Sequence, residues 1–311
     1  MQSAGTEDYL SSLGLSDLAV CLATAVRIGS HSLLEANRHL FSRDFEMKED
    51  GSMVGALDKT SDTSIAEYLN STPAVGICRF RSEEGMEFRQ PSEWEYAAII
   101  DPLDGSINPR IGGTNLHYIG VGGAVHRKPD DEQVIVAACL SFDDNALYVA
   151  EKGKRVYRVT NEDVGFQSRK LMIFDKPAQV NTFIQSGWRT PYTRKAEEAL
   201  HRNGFYEELD FNAGDVMTAG IFQTVSTLRD YRQVLINIAA SHQADFSYLF
   251  LQEAGADVIA NDGMPMHSQA CAMLSITPSY KGDAGRLRET FVRALNGYHG
   301  HNNTGMQRIC D

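Results

Sequence analysis

The chain has 311 residues, 42% of them hydrophobic, and a formal net charge of −12, enough apolar material for one large or two medium globular units. An acid surplus of this size argues against a nucleic-acid partner, whose phosphate backbone needs a positive surface. Five cysteines, Cys21, Cys78, Cys139, Cys271 and Cys310, are scattered without a Cys-x-x-Cys pair, the usage of a reducing compartment.

Residues 1–12 are polar and acidic before the first helix, so no export signal is expected there. No uninterrupted apolar run reaches membrane-spanning length, and the expectation is a cytoplasmic protein without membrane contact. Helical patterning covers residues 17–42 and 63–70, the latter with Ile65 and Leu69 four apart and Asp58 or Asp62 near its start. A short apolar segment, Val75-Gly76-Ile77-Cys78, then leads to the acidic pair Glu83-Glu84. A second, Tyr96-Ala97-Ala98-Ile99-Ile100, runs directly into Asp101-Pro102-Leu103-Asp104-Gly105-Ser106.

Asp, Pro and Gly are ordinary turn residues, so the last run alone reads equally as a solvated turn. Two carboxylates and an intervening carbonyl at the end of a buried strand also suit a hard, oxygen-seeking cation. The recurrence of acidic points at element ends tips the balance. Carboxylates gathered together push up one another's pKa unless a counter-cation neutralises them.

Strands dominate next, over residues 115–126, 133–142, 146–151 and 155–159, with Glu151-Lys152-Gly153-Lys154 as a hairpin turn. The glycines of Gly120-Val121-Gly122-Gly123 sit inside an apolar strand rather than between strand and helix, so they mark close backbone packing and not a dinucleotide site. Beyond them, a strand at Thr182-Phe183-Ile184 precedes helices over 194–202, 215–224, 245–254 and 283–295, with strands at 233–239 and 257–260. The expected architecture is an α/β (α+β) fold of alternating helix and sheet layers in two lobes, residues 1–178 and 179–311, with the acidic site at their junction.

Taken in order, Ser82-Glu83-Glu84, Asp101-Pro102-Leu103-Asp104-Gly105-Ser106-Ile107-Asn108 and Gln252-Glu253-Ala254-Gly255-Ala256-Asp257 resemble the metal-dependent, lithium-sensitive phosphomonoesterase superfamily. It includes inositol monophosphatase, fructose-1,6-bisphosphatase and the 3′-phosphoadenosine phosphatases. The resemblance spans most of the chain, and Leu57-Asp58, the Ser-Glu-Glu triplet and Ser106 look closer to the fructose-1,6-bisphosphatase branch. It implies that Glu83, Asp101, the Leu103 carbonyl and Asp104 hold two or three Mg²⁺ ions, with Mn²⁺ as a substitute. It implies Asp58, Glu84 and Ser106 as the groups that activate water, and a homo-dimer or homo-tetramer as the assembly. Gly105 and Ser106 would open a helix whose N-terminal amides face the phosphate.

The chain departs from the superfamily where relatives begin the Glu-Ala-Gly helix with an acidic ligand. Counting back eleven residues from Ala254 gives Gln243, and the nearest carboxylate is Asp245, which is read equally as a metal ligand or as an N-cap. Asp62 is read as a helix N-terminal carboxylate on the dipole. No lysine stands in Asn237-Ile238-Ala239-Ala240-Ser241-His242, where fructose-1,6-bisphosphatases carry one, which puts that substrate itself in doubt. For the non-reacting end of a phosphorylated sugar or polyol, the basic and hydroxyl side chains of Arg189, Arg229 and Tyr231 are the expected contacts, with Trp188, Tyr192, Arg194 and Arg232 as further candidates. The expected activity is Mg²⁺-dependent hydrolysis of a phosphomonoester on a small sugar or polyol. Inositol monophosphate and adenosine 3′,5′-bisphosphate are the alternative substrates, and a binding protein without turnover is the alternative class.

Overall fold

The computed structural model describes residues 2–37, 45–47, 53–72, 78–82, 87–89, 91–104, 120–127, 134–142, 144–162, 165–171, 183–186, 191–209, 224–225, 227–228, 234–238, 242–264 and 272–296. Among them are six longer helices, numbered in chain order: α1 Gln2–Ser12, α2 Asp17–Asn37, α3 Ala56–Ser71, α4 Pro191–Arg202, α5 His242–Glu253 and α6 Ala284–Leu295. The strands are β1 Phe45–Met47, β2 Met53–Gly55, β3 Cys78–Ser82, β4 Glu87–Arg89, β5 Tyr96–Asp104, β6 Gly120–Arg127, β7 Val134–Ser141, β8 Ala146–Glu151, β9 Arg155–Glu162, β10 Gly165–Leu171, β11 Phe183–Ser186, β12 Val234–Asn237, β13 Asp257–Ala260 and β14 Met273–Ile276.

Eight strands form one sheet in the order β10-β9-β8-β7-β6-β5-β3-β4, and four form a second in the order β11-β12-β14-β13. In the large sheet β3 and β5 run parallel and the other pairs antiparallel. Strand alternation sorts its side chains. Ala98, Ile100, Val121, Val125, Val136 and Ala138 pack with α2 and α3 on one face, whereas Ala124, Ala137, Cys139, Tyr148 and Ala150 pack with α5 on the other. The small sheet alternates likewise, with Leu235 and Met273 towards α5 and Val234, Ile236, Leu274 and Ile276 towards α4 and α6.

The layers therefore run helices, large sheet, α5, small sheet, helices. A helix between two sheets must be apolar all round, and α5 carries four consecutive buried residues, Tyr248, Leu249, Phe250 and Leu251. By length and composition alone residues 17–36 of α2 could cross a membrane. In the fold this helix packs along α3 and the large sheet, with Leu22, Ala23, Ala25 and Val26 fully buried. Its approach to α3 needs Gly29, where a Cβ would lie 2.6 Å from Ser61 Oγ and 2.7 Å from Ile65 Cδ1.

Several elements differ from the sequence expectations. Residues 2–12 are helical, α3 starts at Ala56 rather than 63, and β10 and β14 were not anticipated. The glycine-rich stretch from Gly120 to Gly123 is a strand as expected, and Gly123 shows why, since a Cβ there would meet the Ile99 carbonyl oxygen at 2.9 Å. The hairpin turn after Glu151 forms with Gly153 at φ +79° and Arg155 at φ +82°. Of the helix expected over 215–224, all but Thr224 lies outside the described residues.

Candidate active site

The acidic end of β5 owes its geometry to one irregularity. In a regular strand, residues three apart face opposite sides of the sheet, which would separate Asp101 from Asp104. Here Asp101 pairs with Gly122 and Asp104 with Gly120, so three steps along β5 oppose two along β6. The extra residue is a β-bulge. Directly paired residues share a face, and both aspartates therefore look to the side that Ala97 and Ile99 occupy further down the strand. The bulge is closed by the Leu103 amide, which donates to Asp101 Oδ1 at 3.0 Å. Asp101 and Asp104 are each 2% exposed.

Two helices arrive at this end of the sheet. Ser82, the last residue of β3, donates to Asp62 Oδ2 at 2.9 Å, which fixes α3 against the end of that strand. Asp58 lies one turn nearer the helix start, about 6 Å further along the axis, and is 2% exposed. Asp62 is thus a buried acceptor tying helix to sheet in the second turn of α3, and not the helix N-terminal carboxylate on the dipole expected from the sequence.

On the opposite face, Glu253 at the C-terminus of α5 accepts from the Gly153 and Arg155 amides at 2.8 and 3.0 Å. That turn joins β8 to β9 at the far end of the sheet from Asp104. A 12-residue helix is about 18 Å long, comparable to the strands it packs on, so its first turn reaches the carboxylate end. Gln243 and Asp245 are its second and fourth residues. The helix starts earlier than expected, and Asp245 is consequently inside it rather than its N-cap.

A polar row that the sequence did not reveal continues across this face. Register aligns Asp101, Gly122, Cys139, Tyr148 and Arg158 on adjacent strands. Tyr148 donates to Asp144 Oδ2 at 2.6 Å, and Arg158 Nε donates to the same oxygen at 3.0 Å and to the Tyr148 hydroxyl at 3.3 Å. Burial and then the Asp144 charge push the Tyr148 phenol well up. Burial raises the Cys139 thiol too, followed by the charges of Asp144 and Asp104, which stand on either side of it. Only pairing through the strands could have exposed this row, since its members are far apart in sequence.

Of the residues expected from the sequence, Asp58, Asp101, Leu103 and Asp104 are buried at or near the end of β5. Glu83, Glu84, Gly105, Ser106, Trp188, Arg189, Arg229, Tyr231 and Arg232 lie outside the described residues. Tyr192 and Arg194 belong to α4, which packs with α6 on the far side of the small sheet, and Arg194 is exposed there, away from β5. Among the described residues no three His, Cys, Asp or Glu side chains stand close enough to hold an ion. The donors present are nonetheless of one kind, buried carboxylate oxygens, which fits a hard divalent cation better than a thiophilic one.

No protein-family model and no curated protein matches the chain. Solved structures do. The extragenic suppressor protein suhB from Bartonella henselae superposes with a TM-score of 0.69 at 15% identity, over 90% of this chain and 99% of that one. The fructose-1,6-bisphosphatase of Leishmania major in holo form gives 0.65 at 15% identity, over 92% and 97%. An IMPase/NADP phosphatase complexed with Mg²⁺ and phosphate gives 0.60 at 14%, over 86% and 92%. The chain has the layered α/β fold that these proteins share, as the sequence resemblance implied.

Proposed function

We propose that the chain is a Mg²⁺-dependent phosphomonoesterase acting on a small phosphorylated sugar or polyol, by direct attack of water on phosphorus. The observation that carries this reading is the bulge that turns two buried aspartates to one face of β5, in a fold shared with phosphatases. Asp101, Asp104, the Leu103 carbonyl, Glu83 and Asp245 are the proposed metal donors. A divalent cation held there supplies Lewis acidity to the phosphoryl oxygen and lowers the pKa of the attacking water.

The chain's own groups do the rest. Asp58, supported by Glu84, would accept one proton from the attacking water, the Ser106 hydroxyl would orient that water in line with the leaving oxygen, and solvent water would protonate the departing alkoxide. Gly105 and Ser106 hold the phosphate through backbone amides, while Arg189, Arg229 and Tyr231 contact the non-reacting end. The first turns of α3 and α5 reach the same end of the sheet and add positive dipole where phosphate charge must be held. We place the protein in the cytoplasm, as a homo-dimer or homo-tetramer.

The test is phosphate release from a panel of sugar, inositol and nucleotide phosphates, with and without Mg²⁺ and Li⁺, alongside Asp104→Asn. Mg²⁺-dependent release from one substrate, lost in the variant, is expected. Release that is indifferent to both metal and variant would sink the mechanism. A second reading, a binding protein without turnover, is favoured by Gln243 at the start of α5, where a neutral amide stands in place of a carboxylate. Silence across the panel with Mg²⁺ binding intact would support it.

A further inference from the structure

Ser141 ends β7 and is 1% exposed, yet its Oγ has no hydrogen-bond partner among the described residues. Buried hydroxyls are normally satisfied, and one that is not costs stability in the ligand-free protein. Its place in the sheet says what the cost is for. Ser141 pairs with Gly120, which pairs in turn with Asp104, so all three share one face. Cys139, two residues earlier on β7, packs in the cluster with α5, which identifies that face.

At a strand spacing of about 4.8 Å, Ser141 and Asp104 stand roughly 10 Å apart. The residue between them is a glycine, so no side chain of β6 stands between the two. This stretch of sheet therefore brings together an acidic strand end suited to a cation, the hydroxyl of Ser141, and the end of the sheet that the first turn of α5 reaches. A carboxylate-held cation and a helix N-terminus both attract anions.

We propose that Ser141 is a phosphate-positioning residue, its hydroxyl donating a hydrogen bond to a phosphate oxygen bound over Gly120 beside Asp104. This rests on the phosphatase function proposed above. It assigns to β7 a contact that no motif in the sequence marks, and it explains the orphaned hydroxyl as a donor left free for the ligand.

Thermal unfolding of the full chain tests it in three conditions: EDTA, Mg²⁺, and Mg²⁺ with inorganic phosphate. In EDTA, Ser141→Ala should melt at or above the wild-type temperature, because an unsatisfied hydroxyl has been removed. Mg²⁺ alone should raise both proteins equally. The further rise with phosphate should be at least halved in Ser141→Ala, with an apparent phosphate Kd weakened about tenfold, and restored in Ser141→Thr. Ser275→Ala, which removes another buried unpartnered hydroxyl on the small sheet, should keep the full phosphate response. A full phosphate rise in Ser141→Ala, or a loss already present with Mg²⁺ alone, would overturn the assignment while leaving the phosphatase reading intact. A wild-type protein that gains nothing from Mg²⁺ and phosphate together would overturn both.

Discussion

At the scale of single residues, the proposed chemistry rests on the buried carboxylates at the end of β5. Asp101 and Asp104 are held 2% exposed on one face, where two carboxylates together suit a hard divalent cation. Asp104→Asn should therefore weaken Mg²⁺ binding while lowering turnover at least about a hundredfold, the upper end of what losing a group that merely supports a ligand costs. Titration calorimetry reads the first effect, and Mg²⁺ affinity that holds in the variant would show that Asp104 is not a metal donor. The Cys139 thiol and the Tyr148 phenol carry a different prediction, because burial first and nearby acidic charge second raise both. In the unfolded chain they ionise near 9.0 and 10.0, whereas the folded protein keeps both protons. Above about pH 9 the unfolded state thus binds fewer protons, and stability falls as pH rises. Urea titrations from pH 8 to pH 11 should show that decline, and Tyr148→Phe should flatten the part above pH 10; an unchanged slope would mean that Tyr148 ionises in place. The acidic motif was legible because acidic points recur at the ends of elements, at Asp58, Glu83-Glu84 and Asp101 to Asp104. The bulge was not, since it depends on which residues of β6 lie opposite, and neither was Asp62, whose partner Ser82 is twenty residues away.

At the scale of elements, the site depends on how α5 is aimed, and its aim is set at the far end. Glu253 accepts from two amides of the β8–β9 turn, where Arg155 holds φ +82°, a conformation that costs a non-glycine residue on the order of 1–2 kcal/mol. The same turn reaches the start of α2, because the Ser16 amide donates to Glu151 at 2.9 Å and Lys154 Nζ donates to the Gly14 carbonyl at 2.9 Å. Glu253→Ala should cost about 1 kcal/mol by removing two hydrogen bonds whose exposed amides can turn to water, and it should weaken Mg²⁺ binding even though the residue lies a helix length from the carboxylates. Chemical denaturation and titration calorimetry read the two effects. If stability falls while Mg²⁺ affinity holds, α5 is positioned by its packing alone. The glutamate was visible in Glu-Ala-Gly only as part of a motif. Its anchoring role was not, because the partner turn lies about a hundred residues earlier. The short strands escaped for a related reason: β14 is four buried residues, Met273–Ile276, too few to show a period.

At the scale of the whole molecule, α5 is the element that makes two sheets one structure. The large sheet is drawn from residues 78–171 and the small sheet from 183–276, and each could in principle keep its own core on its outer face. What joins them is the cluster in which Leu249, Phe250 and Leu251 meet Ala137, Cys139 and Tyr148 from the large sheet and Leu235, Ala260 and Met273 from the small one. The layered class was foreseeable from strand-rich and helix-rich stretches in order, but nothing in residues 242–253 announces a helix apolar on every side, since its first turn is polar. Phe250 is fully buried in this cluster, and Phe250→Ala should cost about 3–5 kcal/mol. Because the cavity opens between the sheets, the loss should reach both. Hydrogen exchange should speed together at Val136 in β7 and Leu274 in β14, and thermal unfolding should remain a single transition at lower temperature. Exchange that quickens in the small sheet alone, or a melt that splits in two, would mean that the sheets fold as separate units and that the carboxylate end of the large sheet does not need its neighbour to hold its shape.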